Sequence, residues 1–245
     1  MNPLKIINIF KSIDGEAYHA GRPTIFLRTY GCNLRCAYPC DTPESWSLEA
    51  YAKHYDRPLL EMLPEEAFAK IKELAGGHIR HVTITGGEPL LPENVLWMKA
   101  LGDILLFNGY SIDFETNGAV PLKEMAEWRA EQEDTPAIHF IMDWKCSSSR
   151  MLDKMLPENL PLLKPWDIVK CVVSDDESLP VAAAEAAGHK ISHLPVSIFK
   201  HNCFLCIHTS VIFYAICRHA SDFITKNHRS KIQHITSKIQ KCTTT

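Results

Sequence analysis

The sequence has no apolar run long enough to cross a bilayer. Its longest candidate, Cys203–Cys217, falls about five residues short of the roughly 20 required and contains His208. No apolar stretch follows Met1-Asn2-Pro3-Leu4-Lys5, so neither a signal peptide nor a membrane anchor is expected, and the cytoplasm is the expected compartment. A large excess of charge of either sign is also lacking, with 26 Lys or Arg against 29 Asp or Glu. A net charge of −3 gives no general attraction to nucleic acid or an anionic membrane, which leaves a small molecule as the expected partner. With no secretory signal, the nine cysteines are not expected to form a disulfide framework; a reducing cytosol leaves thiols available for metal ligation or catalysis. Glycine and proline are missing from one region only. All 11 glycines and 15 prolines lie at or before Pro195.

At 245 residues with 46% apolar content, the chain can build one large α/β domain. Ile6–Phe10 and Thr24–Tyr30 read as strands, and Pro64–Ala75, opened by proline and two glutamates and closed by Gly76-Gly77, reads as a helix. Ile79–Thr85, Tyr110–Glu115, Ala137–Asp143 and Asp167–Val173 read as further strands, separated by helical stretches near 93–107, 121–133 and 177–187. This βα alternation predicts a parallel sheet or partial barrel over residues 1–198. Residues 199–245 differ, with four cysteines, five histidines, seven Lys or Arg and a single acid, Asp222. That tail reads either as a helical extension or as a segment foreign to the domain. Within it Cys203 and Cys206 form a CxxC without a partner pair, which reads as free thiols or as a second metal site.

In parallel α/β folds chemistry gathers at the carboxyl ends of the strands. Thr85-Gly86-Gly87-Glu88-Pro89, Glu115-Thr116-Asn117-Gly118 and Asp143-Trp144-Lys145-Cys146 are each expected to begin where a strand ends, and a loop carrying Cys32, Cys36 and Cys40 follows Tyr30. Three thiolates on one loop suit three irons of a cubane, with the fourth iron open to chelate the amino and carboxylate groups of a methionine moiety. Buried structural cysteines, or a zinc site completed by His19 or His54, are the alternatives. Gly86 and Gly87 let backbone approach a ligand, and Glu88 can accept from a cationic amine. Arg28 lies in an apolar strand, where an unpaired charge is costly, so an anionic partner is expected there. Tyr38 and Trp46 could pack beside a cluster or adenine, or anchor the loop.

Taken in order, Ser12-Ile13-Asp14-Gly15-Glu16, Gly21-Arg22-Pro23, Phe26-Leu27-Arg28, Gly31-Cys32-Asn33-Leu34-Arg35-Cys36, Cys40-Asp41-Thr42, Thr85–Pro89 and Glu115–Gly118 resemble the 7-carboxy-7-deazaguanine synthase family of radical S-adenosylmethionine enzymes. The resemblance spans about residues 4–198. It implies a partial (β/α) barrel of the radical S-adenosylmethionine type and a lyase that converts 6-carboxy-5,6,7,8-tetrahydropterin to 7-carboxy-7-deazaguanine with loss of ammonia, on the route to queuosine. It also implies a [4Fe–4S] cluster on Cys32, Cys36 and Cys40, and S-adenosylmethionine held by Tyr38, Asp41, Gly87, Glu88, Glu115, Asn117, Asp143 and Lys145. The pterin would be held by Ile13, Asp14, Gly15, Glu16, Arg28 and Thr85, and Mg²⁺ by Thr42. An electron donor such as flavodoxin or ferredoxin and a homodimer follow from the same resemblance. A glycyl-radical-activating enzyme and a ligand-binding relative impaired in catalysis are the competing readings.

The chain departs from that family at four places. The second cysteine gap holds three residues instead of two, and the extra position, Pro39, has no N–H to donate to a cluster sulfur and is expected to weaken the cluster. Asp14 replaces a usual glutamine, Ala17 replaces a usual glycine, and the family's C-terminal element is not recognisable after about residue 198.

Overall fold

The computed structural model describes residues 1–15, 17–37, 40–132 and 136–171, and the backbone of 172–173 and 196–200. Glu16, Tyr38, Pro39, the helix expected near 177–187, and residues 201–245 with Cys203 and Cys206 lie outside the described residues.

One eight-stranded sheet organises the chain, in the order β3-β1-β2-β4-β5-β6-β7-β8. The strands are β1 (Leu4–Ile13), β2 (Pro23–Thr29), β3 (Leu60–Met62), β4 (His81–Gly86), β5 (Ser111–Thr116), β6 (Ile138–Lys145), β7 (Ile168–Val173) and β8 (Val196–Lys200). From β2 to β8 all neighbours pair in parallel, whereas β1 and β3 add an antiparallel edge. The sheet does not close on itself, because β3 and β8 each have one neighbour. This is the open α/β barrel expected from the sequence.

Among the described residues four α-helices, α1 (Leu48–His54), α2 (Pro64–Ala75), α3 (Val95–Phe107) and α4 (Lys123–Glu131), accompany it. The bounds of α2 match the sequence reading because its signals are local. Pro64 opens it, the Glu66 carboxylate accepts from Leu63 N at 2.7 Å, and Gly76 at φ 57° ends it in the left-handed region. Ala67, Ile71 and Ala75, four residues apart, form the buried stripe that faces the sheet. Burying Ile71 alone contributes about 1.5–3 kcal/mol. α3 and α4 meet closely where Gly102 faces the Trp128 ring, since a Cβ there would lie 2.5 Å from Trp128 Cη2.

Alternation along the strands divides the sheet into two faces. Val82, Ile84, Ile112, Phe114, Ile138, Phe140 and Met142 are buried in the apolar core beneath the helices. Between them in sequence stand Thr83, Thr85, Asp113, Glu115, His139, Asp143 and Lys145, which give the inner face its polar lining. β6 runs two residues beyond the expected strand because Lys145 pairs with Val172 of β7. Asp143 and Lys145, expected to open a loop, therefore sit on the strand itself.

Candidate active site

The cysteine loop leaves β2 at Thr29 and is held by all three neighbouring strand ends. Gly87 N donates to Thr29 O at 3.3 Å, and Glu88 N to Gly31 O at 2.7 Å. A side chain at position 87 would collide with this loop, its Cβ lying 1.9 Å from Gly31 O and 3.0 Å from Cys32 Cβ. The glycine is thus required by close approach of two backbones. After β5, Asn117 Nδ2 donates to Asn33 Oδ1 at 2.7 Å and lies 3.8 Å from Cys32 Sγ. After β6, Ala37 N donates to Ser149 O at 2.9 Å. Arg35 stacks 4.5 Å over Trp46, so of its two expected roles Trp46 takes that of a loop anchor.

None of Cys32, Cys36 and Cys40 is in a disulfide. Burial pushes the Cys32 thiol up, as do the charges of Glu88, Cys36 and Cys40, and the Leu34 N–H opposes them. The three sulfurs therefore sense one another electrostatically. Bound iron would supply the positive charge their ionisation needs, and N–H groups of Leu34 and Asn117 already face Cys32 Sγ. The donor set fits an iron–sulfur cluster.

Glu88 is fully buried. Its Oε1 accepts from Leu90 N and Thr116 Oγ1, both at 2.9 Å, and its Oε2 accepts from Asn117 N at 2.6 Å. Burial drives its pKa from 4.5 to about 7 despite these bonds and the nearby Lys145 charge. The carboxylate thus ties the end of β4 to the end of β5, a positioning role not evident in the sequence.

Across the upper inner face, Thr85 Oγ1 donates to Glu115 Oε2 at 2.6 Å. Asp143 is paired with Lys145 at 2.5 Å and with Lys170 at 3.1 Å. Burial would raise the Asp143 pKa, but the two ammonium groups hold it below the ordinary range. Lys170 was missed in the sequence reading, although a lysine inside the apolar Ile168–Val173 run is a usable signal. Arg28 lies beside this face, level with Thr85, over the Phe10 ring and 3.4 Å from Glu44 Oε1. Its Nε is buried without a hydrogen-bond partner among the described residues, so the guanidinium retains capacity for an anion.

Thr42 precedes a short 3-10 turn but makes no side-chain cap; its hydroxyl lies 3.8 Å from Cys40 Sγ. Asp41 is exposed next to it. Ile13, Asp14 and Gly15 occur at the opposite end of the barrel, because β1 is antiparallel to β2 and Ile13 pairs with Pro23. Ile13 is exposed, whereas Asp14 is buried and accepts from Thr83 Oγ1 at 2.9 Å. The structure therefore joins Arg28, Thr85, Glu115, Asp143 and Lys145 near the cysteine loop, and separates Ile13, Asp14 and Gly15 from them along the barrel.

An open parallel barrel with a three-cysteine loop docked on its glycine-rich rim defines the radical S-adenosylmethionine class, and residues 26–140 match the model of the Radical SAM superfamily. The chain is 34% identical to 7-carboxy-7-deazaguanine synthase of Clostridium acetobutylicum, over 73% of this chain and 72% of that one. It is 36% identical to the Koribacter versatilis enzyme of the same name, over 80% and 76%. It also resembles the crystal structure of QueE from Escherichia coli, with a TM-score of 0.58 and 26% identity over 86% of this chain and 91% of that chain. The chain belongs to the 7-carboxy-7-deazaguanine synthase family.

Proposed function

We propose that the protein is a lyase converting 6-carboxy-5,6,7,8-tetrahydropterin to 7-carboxy-7-deazaguanine and ammonia. The observation that carries this reading is Arg28, level with Thr85 on the neighbouring strand, whose Nε is buried without a hydrogen-bond partner among the described residues. A guanidinium so placed suits the substrate carboxylate, which it can bind with two parallel hydrogen bonds.

Cys32, Cys36 and Cys40 would hold the [4Fe–4S] cluster, which when bound supplies the electron for reductive cleavage of S-adenosylmethionine. Around it, Gly87, Glu115, Asn117, Asp143 and Lys145 form the wall for S-adenosylmethionine, with Asp41 and Tyr38 on the loop. Glu88 acts within this wall by fixing Asn117 and Leu90. Thr85 shares its proton with Glu115 and orients that carboxylate, while Thr42 offers its hydroxyl to Mg²⁺ and substrate. The pterin would lie along the barrel interior from Arg28 and Thr85 toward Asp14, with Ile13 and Gly15 at its far end; Glu16 belongs to the same set by resemblance. Four strand positions separate Arg28 from Thr24, a span of about 13 Å that accommodates a bicyclic ring with its carboxylate. Dry walls of Phe26 and Ile141 would limit side reactions with water.

The same reading places the enzyme in the cytosol as a homodimer, reduced by a flavodoxin or ferredoxin. Among the described residues no helix is long and apolar enough to cross a membrane. Incubating the anaerobically reconstituted protein with the carboxypterin, S-adenosylmethionine, Mg²⁺ and a reductant tests the proposal. Carboxydeazaguanine and ammonia are the expected products. A fully loaded protein that cleaves S-adenosylmethionine but leaves the pterin intact would favour a radical-activating enzyme instead, and one that cleaves neither would favour an impaired relative.

A further inference from the structure

Below the proposed substrate space, the inner face carries a second constellation, of which only Asp14 also belongs to the proposed pterin site. Asp113, in the middle of β5, is 1% exposed and receives three imidazoles. His19 Nδ1 approaches Oδ2 at 2.9 Å, His139 Nδ1 approaches Oδ1 at 2.9 Å, and His81 Nε2 lies 3.4 Å from Oδ2. His139 comes from β6 through its register with Asp113, His81 from the start of β4, and His19 from the turn that folds across the barrel end. The His19 and His81 rings are 3.8 Å apart at their centroids. Asp14 belongs to the same group, because Asp14, His81 and Asp113 each offer a ligand atom within 4.8 Å of the others.

Two features distinguish this arrangement from an ordinary hydrogen-bond network. The His81 side chain is 8% exposed, and its Nε2, 3.4 Å from Asp113 Oδ2, makes an ion-pair contact but no well-formed hydrogen bond among the described residues, although Nδ1 is engaged by Ser111 Oγ at 2.8 Å. One imidazole nitrogen is thus aimed into the cluster. In addition, two buried carboxylates lie together, and the ion-pair partners of Asp113 among the described residues are all histidines. Three imidazoles from three separate elements thus converge on one buried carboxylate. Imidazole with carboxylate is the donor set of divalent transition metals.

We propose that His19 Nδ1, His139 Nδ1 and Asp113 form a binding site for a divalent transition-metal cation of the zinc class, with His81 and Asp14 completing it around the shared Asp113 carboxylate. Ligands about 2.0–2.1 Å from zinc lie roughly 3.3 Å from each other in tetrahedral geometry, so the two His–Asp113 separations of 2.9 Å need to open by a few tenths of an ångström, and the three ligand atoms already lie within 4.8 Å of one another. The ion closes the amino-terminal end of the barrel, far from the cysteine loop. It cross-links the His19 turn to β5 and β6 through Asp113 and His139.

The test is anaerobic titration of the cluster-loaded full chain with Zn²⁺, since iron then occupies the loop thiols. Metal analysis after gel filtration is expected to give one zinc per chain and a raised unfolding temperature. His19→Ala and His139→Ala are expected to weaken zinc binding by roughly tenfold or more, with iron and sulfide unchanged. His19 lies in a surface turn, so its variant decides the matter if His139→Ala does not fold. A wild-type holoprotein that takes up no zinc overturns the proposal. So does zinc uptake undiminished in the His19 variant, which would assign the metal to the cysteines and histidines after residue 200.

Discussion

Replacing Gly87 by alanine probes the contact on which the active-site reading depends. The added methyl would sit 1.9 Å from Gly31 O, 2.6 Å from Gly31 C and 3.0 Å from Cys32 Cβ. Ordinary carbon–oxygen contacts begin near 3.3 Å, so one backbone must retreat by about 1.4 Å. Neither can do so freely. Gly31 N is bonded to Ser45 O at 2.7 Å, Gly31 O accepts from Glu88 N at 2.7 Å, and Glu88 is itself locked to Asn117 and Thr116. Overpacking contributes about 1–3 kcal/mol and the lost Glu88–Gly31 bond about 1 kcal/mol more, so the expected destabilisation is about 2–4 kcal/mol. Because the displaced segment carries Cys32, iron and sulfide content after reconstitution should fall with stability. Gly15→Ala is the control, since a Cβ there meets nothing within 4 Å and the residue is remote from the loop. Urea unfolding and metal analysis measure both effects. A Gly87→Ala protein with wild-type iron and a stability within about 0.5 kcal/mol of wild type would refute the reasoning.

Glu88 predicts a pH dependence. Its pKa is raised from 4.5 to about 7 in the fold, so the native state holds the proton more tightly; the stabilisation is complete below pH 4.5 and is lost as pH rises through about 7. The interval corresponds to about 3 kcal/mol, and denaturant melts of cluster-free protein should show that slope in wild type and a flatter one in Glu88→Gln. Arg129→Ala should destabilise by about 3–5 kcal/mol in urea unfolding, because Arg129 Nη1 reaches both Asp167 oxygens at 2.8 Å and its loss strands a buried carboxylate. Arg28→Ala should raise KM for the carboxypterin by about 10- to 150-fold, the worth of a charged hydrogen bond of about 1.5–3 kcal/mol, and leave S-adenosylmethionine affinity near wild type in equilibrium binding.

What could be read from the sequence was whatever is encoded locally. The α2 limits follow from Pro64, Glu66 and the Gly76 cap, all local to one helix, and the cysteine loop follows from three thiols within nine consecutive residues. α1 escaped notice although Ser47 caps it by accepting from Ala50 N, a signal present in the sequence. β3 had no such signal; Leu60–Met62 is too short for periodicity and exists through its pairing with Leu4–Ile6. The site divides in the same way. Glu88 was recognised, but its bonds to Thr116 and Asn117 depend on β4 and β5 lying side by side. His19, His81, Asp113 and His139 are far apart in the chain, and only strand register and the fold of one turn gather them, so each alone reads as an ordinary core or surface residue.

The most direct test of the cluster and its cofactor is electron paramagnetic resonance of the anaerobically reconstituted, reduced protein, recorded before and after addition of S-adenosylmethionine. The account predicts a [4Fe–4S]⁺ signal that changes on addition, because three cysteines leave one iron open to the methionine moiety, and predicts its loss in Cys32→Ala. A signal indifferent to S-adenosylmethionine, or one that persists without Cys32, would contradict it.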